Sequence, residues 1–340
     1  PAGSGGAGRC PRPETALPQD GKRPTGVAPC QRNRVGQNPA PMRLGLLSTA
    51  ADSYSTRRLA EAARSLGHEP YILDTLRIEL EVGARIGLRY RGLPCPEFDA
   101  LLPRIGPSIS RYGLAAVRHF EAAGVPCING SEAIASSRDK LRALQKLCAA
   151  GLPVPETAFV REREQLRPTI ERLGGPPVIL KLLEGTQGVG VILAESLAAA
   201  EATVEALHQA RQAVLVQRFI HHSRGRDIRA FVIGGRLFAA MRREAKADEF
   251  RSNIHRGAAA RPLELDPRQR QLAERAAQVL GLGVAGVDLL EGPDGPLINE
   301  VNSSPGLEGI ETASGRDVAA AVVRELESLR PAPTPLTRAT

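Results

Sequence analysis

A glycine-rich segment in the middle of the chain has residue types that suit phosphate binding. It reads Glu-Gly-Thr-Gln-Gly-Val-Gly over residues 184–190 and lies between two apolar runs typical of short strands. Backbone amides in such a loop approach phosphate oxygens closely because glycine has no side chain. Lys181 lies in the preceding apolar run, where burying an ammonium is costly unless it meets an anion. The alternatives are a purely structural turn and a lysine that reaches solvent.

A second group of polar residues, near the C-terminal end, has the composition of a metal site. Glu300 and Asn302 stand two residues apart in a predicted strand, so their side chains share a face, and Asp288 on the preceding strand is placed to join them. Two carboxylates and an amide oxygen are ligands that suit Mg²⁺. The alternative is a solvated sheet face, which is disfavoured because apolar residues alternate with these positions. Those residues are Val287, Leu289, Ile298 and Val301.

The elements that position these residues fall into two regions. In the first region strands and helices alternate, which predicts a small parallel sheet. Its predicted strands are 43–47, 71–73 and 100–102, and its helices are 113–123 and one that Ser55 caps and that ends at Gly67. A helix over 138–150 follows, and we predict a domain boundary just before it.

The second region predicts an antiparallel α+β arrangement. The dipeptide Gly234-Gly235 between two apolar runs favours a two-residue hairpin. The predicted strands are 178–182, 189–193, 214–217, 227–233, 236–242, 285–290 and 296–302, and the predicted helices are 198–210 and 268–280. We therefore predict a 42–137 α/β domain and a 138–330 domain, with subdomains at about 138–216 and 217–330.

Composition restricts the class of protein. Residues 1–41 are rich in Pro, Gly, Gln, Asn and Arg without apolar periodicity, so we predict a disordered tail, a true start at Met42, and a flexible 331–340 end. No run is long and apolar enough to span a membrane, and no secretory signal is visible, which predicts a cytoplasmic protein.

The tail carries half of the formal charge of +8, so charge gives no argument for direct nucleic-acid binding. The cysteines are predicted free thiols at 10, 30, 95, 127 and 148.

The stretch Asn299–Glu311, which reads Asn-Glu-Val-Asn-Ser-Ser-Pro-Gly-Leu-Glu-Gly-Ile-Glu, resembles the metal-binding strand and following turn of ATP-grasp ligases. Further matches follow in the same order as in the RimK family of glutamate ligases, and the resemblance covers Met42 to about Leu329. They are Pro103–Gly106, Arg138–Lys140, Lys181–Gly190, Asp227–Arg229, Phe250–Gly257 and Ala285–Leu290. The resemblance implies an ATP-grasp fold, α/β and α+β, behind an N-terminal parallel-sheet (pre-ATP-grasp) domain.

Position by position, the resemblance also implies roles for individual residues. Contacts with the ATP phosphates would come from Lys140, Lys181, Gly185, Thr186, Gln187, Gly188 and Gly190. The adenine and ribose would be held by Gln217, Arg218, Phe219, Ile220 and Asp227. The triphosphate and the acyl substrate would face Arg229, Arg251, Ser252 and Asn253, and the catalytic residues would be Lys181, Arg229 and Arg251. Two Mg²⁺ ions, or Mn²⁺, would be held by Asp288, Glu300 and Asn302.

One position departs from the family pattern. The family usually reads Gln-Glu-Tyr-Ile at the adenine hinge, whereas this chain reads Gln217-Arg218-Phe219-Ile220. A cation therefore replaces the acidic group, and any hydrogen bond which that carboxylate accepts is lost. Recognition of adenine through backbone groups is unaffected by the change.

The resemblance implies an ATP-dependent carboxylate–amine ligase that activates a carboxylate as an acyl phosphate before an amine attacks it. The leading prediction is addition of L-glutamate to an acidic protein or peptide C-terminus, characteristically that of the sixth protein of the small ribosomal subunit. The alternatives are a small-molecule or carrier-protein acceptor and a nucleotide-binding regulatory module, which the intact Lys181, Asp288, Glu300 and Asn302 argue against. The basic region 242–261 is predicted to recognise the acidic acceptor. A homo-oligomer is compatible with this class.

Overall fold

The computed structural model describes residues 40–183, 190–245 and 258–330, and its first region is built around a parallel sheet. Strands and helices alternate at both ends of this region, with three short strands between them. In chain order the elements are β1 (Arg43–Leu47), α1 (Tyr54–Ser65), β2 (Glu69–Leu73), β3 (Ile78–Val82), β4 (Ile86–Tyr90), β5 (Leu93–Pro94), β6 (Ala100–Pro103), α2 (Ser110–Ala122) and α3 (Ser131–Arg138).

The strand β1 lies between β2 and β6, and both pair with it in parallel, as predicted. The cap of α1 differs from the prediction. The Ser53 hydroxyl accepts from the backbone N–H of Thr56, whereas Ser55 lies inside the helix and its hydroxyl accepts from the N–H of Leu307 at 3.0 Å. Either serine suits a cap by type, so only the tertiary contact separates them.

Three strands that the sequence analysis did not predict form a separate antiparallel sheet, in the order β3-β4-β5. Helix α2 packs beside it, and the Tyr112 hydroxyl donates to the Ile78 carbonyl. The outer side chains Val82, Ile86 and Leu93 are exposed, so the strands lack the buried alternation that would have marked them.

The second region contains two antiparallel sheets, as predicted, with strand orders β7-β10-β8-β9 and β13-β12-β11-β14-β15. Within the described ranges, no helix of either region is long and apolar enough to cross a membrane. The elements are α4 (Lys140–Ala149), β7 (Thr157–Phe159), α5 (Arg163–Arg172), β8 (Val178–Leu182), β9 (Val191–Ala194), α6 (Leu197–Gln209), β10 (Val214–Arg218), β11 (Arg226–Ile233), β12 (Arg236–Glu244), β13 (Ala259–Pro262), α7 (Pro267–Val279), β14 (Val284–Gly292), β15 (Gly295–Asn302), α8 (Glu308–Ser314) and α9 (Val318–Glu327).

Both predicted hairpins form, and each sheet buries one face beneath helices. The β11–β12 turn places Gly234 and Gly235 at φ +57° and +72°, a left-handed conformation that glycine adopts without strain. One face of the four-stranded sheet forms a core with α5 and α6, and one face of the five-stranded sheet forms a core with α7. The opposite face of each sheet is not covered by these helices.

A third core joins the N-terminal sheet to the C-terminal helices. Leu44 of β1, Phe231 of β11 and Val322 of α9 belong to the same buried cluster. Glu311 of α8 ties this cluster together, because its carboxylate accepts from the Tyr54 hydroxyl at 2.9 Å and from the backbone N–H of Ala319 at 2.9 Å. The predicted domain limits stay predictions, but the two regions share a core.

Asn129, in the connection between α2 and α3, links the first region to the five-stranded sheet. Its amide nitrogen donates to the carbonyls of Val284 at 2.8 Å and Ser303 at 2.7 Å, and its amide oxygen accepts from the Val284 N–H at 3.0 Å. The side chain is buried, so water cannot replace these bonds. Asn129 therefore fixes the start of β14 and the segment that follows β15.

We expect Asn129→Asp to destabilise the protein strongly. A carboxylate can still accept from Val284 but cannot donate to two carbonyls, and leaving those groups buried and unpaired costs on the order of 3 kcal/mol in the free energy of unfolding. The measurement is urea denaturation, with Gln212→Glu as the control, because it makes the same amide-to-acid change on an exposed side chain. Equal stability of the two variants would contradict the role of Asn129.

Candidate active site

Four charged residues of the five-stranded sheet bond to one another on one face. Arg229 of β11 donates from Nε and Nη2 to the two carboxylate oxygens of Asp288 of β14, each at 2.6 Å. Arg243 of β12 donates from Nε to Asp227 Oδ1 at 2.7 Å and from Nη2 to Asp227 Oδ2, and its Nη2 also lies 3.0 Å from Asp288 Oδ2. We call these four residues the charge quartet. Its two positive and two negative charges balance.

The members of the charge quartet hold one another in the ionised state. Burial favours the neutral form of Asp288, but the charges of Arg229 and Arg243 outweigh burial and hold its pKa below the ordinary value. Burial likewise acts to lower the pKa of Arg243, and the charges of Asp288 and Asp227 overcome it and raise that pKa. Asp288 is therefore a carboxylate at neutral pH.

A β-bulge in the β11–β12 hairpin decides which arginine joins this face. Counted back from the two-residue turn, an unbroken ladder would pair Asp227 with Arg242. The register shifts at Phe231/Val232, so Asp227 pairs with Arg243 instead. Because successive side chains point to opposite faces, this shift of one residue brings Arg243 to the quartet and leaves Arg242 to bond Glu291 at 2.8 Å.

A second bulge shapes the next hairpin. The register between β14 and β15 shifts after Asp288, so Asp288 pairs with Glu300, and Asn299 is the extra residue. The Asn299 side chain meets Lys181 of the four-stranded sheet, whose Nζ donates to Asn299 Oδ1 at 2.8 Å. The bulge thus connects the two sheets at the level of the charge quartet.

Lys181 is the predicted phosphate ligand, and the structure buries it. Its side chain is only 8% exposed, so it does not reach solvent from the strand as one alternative held. Its pKa is lowered to about 8, mainly by burial; the Glu300 carboxylate opposes this change, the charge of Lys140 adds to it, and the Asp288 carboxylate opposes it. A buried ammonium without an ionic bond within the described residues suits an anionic ligand.

The predicted metal ligands come together on the face of the charge quartet. Glu300 is the cross-strand partner of Asp288, and Asn302 lies two residues further along the same side of β15. The Asn302 amide nitrogen is buried without a partner among the described atoms. Asp288 already accepts three bonds, but a carboxylate has about four acceptor positions, so it can share a cation. The donor set therefore fits Mg²⁺, with Arg229 as its neighbour.

The predicted adenine hinge leaves the end of β10. Gln217 is buried and donates to the Thr157 hydroxyl at 2.8 Å, whereas the Arg218 side chain is exposed and pairs with Glu156 at 3.1 Å. Phe219 and Ile220 are buried. The positive charge of Arg218, which stands where the family has an acidic residue, is therefore balanced by the neighbouring Glu156 on the outside of the hinge.

The predicted phosphate loop is described only at its last residue. Gly190 has φ +78° and its carbonyl accepts from the Leu182 N–H at 2.8 Å, which closes the β8–β9 hairpin. Lys140, the first residue of α4, donates to the Leu183 carbonyl at 3.0 Å. The other residues assigned to this loop lie outside the described residues; they are Gly185, Thr186, Gln187 and Gly188. The predicted ligands in the segment after β12 also lie outside them; they are Arg251, Ser252 and Asn253.

Two expectations involve residues of the charge quartet. Both oxygens of Asp227 accept from Arg243, and a carboxylate has about four acceptor positions, so its contact with a ribose stays a prediction. The basic region 242–261, predicted to recognise the acceptor, contains Arg243, but Arg243 is 4% exposed and belongs to the charge quartet. That prediction was wrong for Arg243, because the bulge reverses the direction of its side chain.

Sequence reasoning missed the contacts that four residues make at this site. Asn299 lay within the family-like stretch but had no assigned role, and Arg243 was considered only as part of the acceptor region 242–261. Arg104 and Arg138 also reach this end of the sheet, and Arg104 Nη2 donates to the Pro305 carbonyl at 2.8 Å. The available indication was that Asn299, Arg104 and Arg138 stand within the matched motifs; Arg243 lies outside all of them.

Two antiparallel sheets that meet through buried charges, behind a parallel N-terminal sheet, define the ATP-grasp class of ligases. The family models described as the RimK PreATP-grasp domain and the RimK-like ATP-grasp domain match residues 42–134 and 137–326. The chain therefore belongs to the RimK family. It is an ATP-dependent carboxylate–amine ligase.

Individual relatives agree with this assignment. The chain is 53% identical to a probable alpha-L-glutamate ligase of Rhodopirellula baltica. The alignment spans 283 residues, which are 83% of this chain and 70% of the relative. A crystal structure of a RimK domain ATP-grasp protein from Sphaerobacter thermophilus is 28% identical, with a TM-score of 0.64 over 84% of this chain and 99% of the other. The ATP-grasp ligase PsnB, complexed with minimal precursor, Mg and ADP, shares the fold at 22% identity, with a TM-score of 0.66 over 85% and 97% of the two chains.

We expect Lys181→Met to abolish a pH-dependent part of the stability. The folded-state pKa of about 8 lies below the ordinary 10.5, so the unfolded chain holds more protons between these values. Stability of the wild type should therefore rise relative to the variant as pH increases through this window, by at most about 1.4 kcal/mol per pH unit. Below pH 8 the difference should be flat.

The measurement is urea denaturation of both proteins from pH 7 to pH 10. Lys146→Met on α4 is the matched control, because the Lys146 side chain is 36% exposed. A Lys181 difference that does not change with pH, or that matches the Lys146 difference throughout, would refute the burial argument.

Proposed function

We propose that the enzyme joins the amine of L-glutamate to the C-terminal carboxylate of an acidic protein or peptide. The observation that carries this proposal is the bond from the buried Lys181 to Asn299 of the five-stranded sheet, the sheet that also holds the charge quartet. That arrangement supplies both signs of charge that phosphoryl transfer to a carboxylate requires. The similarity to a probable alpha-L-glutamate ligase at 53% identity supports glutamate as the amine.

The residues have distinct tasks in the proposed reaction. An oxygen of the acceptor carboxylate attacks the γ-phosphorus of ATP, the bond to ADP breaks, and an acyl phosphate forms. The amine of glutamate then attacks the acyl carbon, and phosphate leaves as the amine loses a proton. Lys181 and Lys140 neutralise phosphate charge, and Arg229 orients the reacting oxygens from its fixed position on Asp288.

Magnesium has a place in this proposal. The residues that would hold it are Asp288, Glu300 and Asn302, and it would supply charge neutralisation on the phosphates. Support comes from the shared face of these side chains and from the Mg and ADP in the PsnB complex. Two ions, and Mn²⁺ in place of Mg²⁺, are part of the proposal.

We further propose that the acceptor is the C-terminus of the sixth protein of the small ribosomal subunit. The support is the family resemblance, and a cytoplasmic location is part of the same proposal. Acceptor recognition then requires cations outside the charge quartet, whose own charges balance. Arg261 is exposed and remains available from the basic region first considered.

Mass spectrometry tests the proposed reaction. Purified protein is incubated with ATP, Mg²⁺, L-glutamate and a C-terminal peptide of that ribosomal protein, and the peptide should gain the mass of one or more glutamyl residues. The same peptide with an amidated C-terminus should gain none, because it offers no carboxylate at the chain end. Glutamate-dependent release of phosphate without any change in the peptide would exclude this acceptor and favour a small-molecule one.

We expect Glu300→Gln to weaken the dependence on magnesium while the fold is kept. The change removes one negative charge from an exposed side chain with little change in volume. The measurement is the affinity for ADP across a Mg²⁺ titration, alongside the melting temperature, with Glu264→Gln as an exposed control. The same magnesium dependence in all three proteins would exclude Glu300 as a ligand.

A further inference from the structure

Two arginines from the first region approach the candidate site without an acidic partner. Arg104 follows β6, and Arg138 is the last residue of α3. Within residues 40–183, 190–245 and 258–330, no carboxylate lies within salt-bridge distance of either guanidinium. Their hydrogen bonds go instead to backbone carbonyls, from Arg104 to Pro305 at 2.8 Å and from Arg138 to Ile105.

The surroundings of these arginines make an unpaired state costly. Burial lowers the pKa of Arg104 to about 10, and the nearby charge of Arg138 adds to the effect. Burial also lowers the pKa of Arg138, which the charge of Glu300 partly opposes. Arg138 also bonds the carbonyl of Ile105, the residue that follows Arg104, so the two arginines are neighbours.

Polar atoms without partners collect at the same place. The described residues contain six buried side-chain nitrogen or oxygen atoms without a hydrogen-bond partner, and four of them belong to Arg138, Asn302, Ser303 and Ser304. Buried polar groups in proteins are nearly always satisfied, so such a group of exceptions indicates a missing partner. Beside two cations, that partner should be an anion with several acceptor positions.

The two arginines and the predicted phosphate ligands come from neighbouring elements. Lys181 lies in β8 and Arg104 follows β6, whereas Arg138 ends α3 and stands two residues before Lys140, the first residue of α4. The negative charge of Glu300 acts on both Lys181 and Arg138. The planar fork of a guanidinium matches the two oxygens of a carboxylate.

We propose that Arg104 and Arg138 together bind a carboxylate of the incoming L-glutamate, which holds its amine beside Glu300 and the acyl carbon. This inference rests on the proposed function. Neither carboxylate of glutamate reacts in that function, so both must be held in ionised form while the amine attacks. The charge quartet cannot provide this, since Asp227 and Asp288 already neutralise its arginines.

The test is amino-acid selectivity in Arg104→Gln and Arg138→Gln. Ligation rates are measured with L-glutamate, with glutamine, and with the α-amide of glutamate, which remove one carboxylate each. We expect the wild type to discriminate against at least one amide, and both variants to lose that discrimination. The KM for glutamate should rise roughly tenfold to a hundredfold, the value of one or two charge-assisted hydrogen bonds, while the KM values for ATP and acceptor stay about constant.

Controls separate this role from a structural one. Arg111→Gln removes an exposed arginine from α2 and should leave selectivity unchanged. Binding of ADP confirms that each variant is folded. If a glutamine variant fails to fold, the corresponding lysine variant keeps the charge but not the fork, and a partial loss of the same discrimination is then expected.

Three outcomes would overturn the proposal. The first is unchanged amino-acid selectivity in folded variants. The second is a rise in KM confined to ATP, which would assign the arginines to phosphates, and the third is a rise in KM confined to the acceptor, which would assign them to acceptor binding. If the wild type ligates no glutamate to any acceptor, the proposed function fails, and this inference fails with it. If the wild type ligates glutamate and the variants select as it does, only the inference fails.

Discussion

The charge quartet is the interaction on which the rest of the site depends. Removing an ion from water costs several kcal/mol, and mutual attraction offsets this only where geometry and further hydrogen bonds are good. Here Arg229 and Asp288 meet through two bonds of 2.6 Å, and Arg243 contacts both aspartates. Losing one member would leave the others charged, buried and unbalanced. The quartet therefore constrains three neighbouring strands to one register.

Apolar cores pack against the same sheet on both sides of the charge quartet's strands. The opposite face of the same strands packs on α7, so alternate residues of β11 and β14 belong to a core while their neighbours belong to the site. Further along the face of the quartet, Phe231 and Met241 pack against the N-terminal sheet. One sheet face is thus apolar at one end and charged at the other. Lys181 reaches the charged end from the second sheet.

Alternation and turn signals were sufficient to predict much of this architecture. The parallel sheet, the β8–β9 and β11–β12 hairpins, the burial of Lys181 and the common face of Glu300 and Asn302 follow from local patterns. The partners of these residues do not follow. An unbroken ladder from each two-residue turn gives Arg242 opposite Asp227, and Asn299 opposite Asp288. Each bulge changes the pairing by one residue, and no local pattern announces a bulge.

The contact between the first and last helices has a consequence for how the chain acquires its structure during synthesis. Tyr54 of α1 bonds Glu311 across 257 positions, and Arg58 pairs with Asp317. The N-terminal sheet therefore leaves the ribosome before the surface that completes its core exists. Contacts so distant in sequence slow folding and prolong exposure of apolar strands. The first region must therefore remain incompletely packed until α9 has been translated, whereas the four-stranded sheet and its two helices have a core of their own.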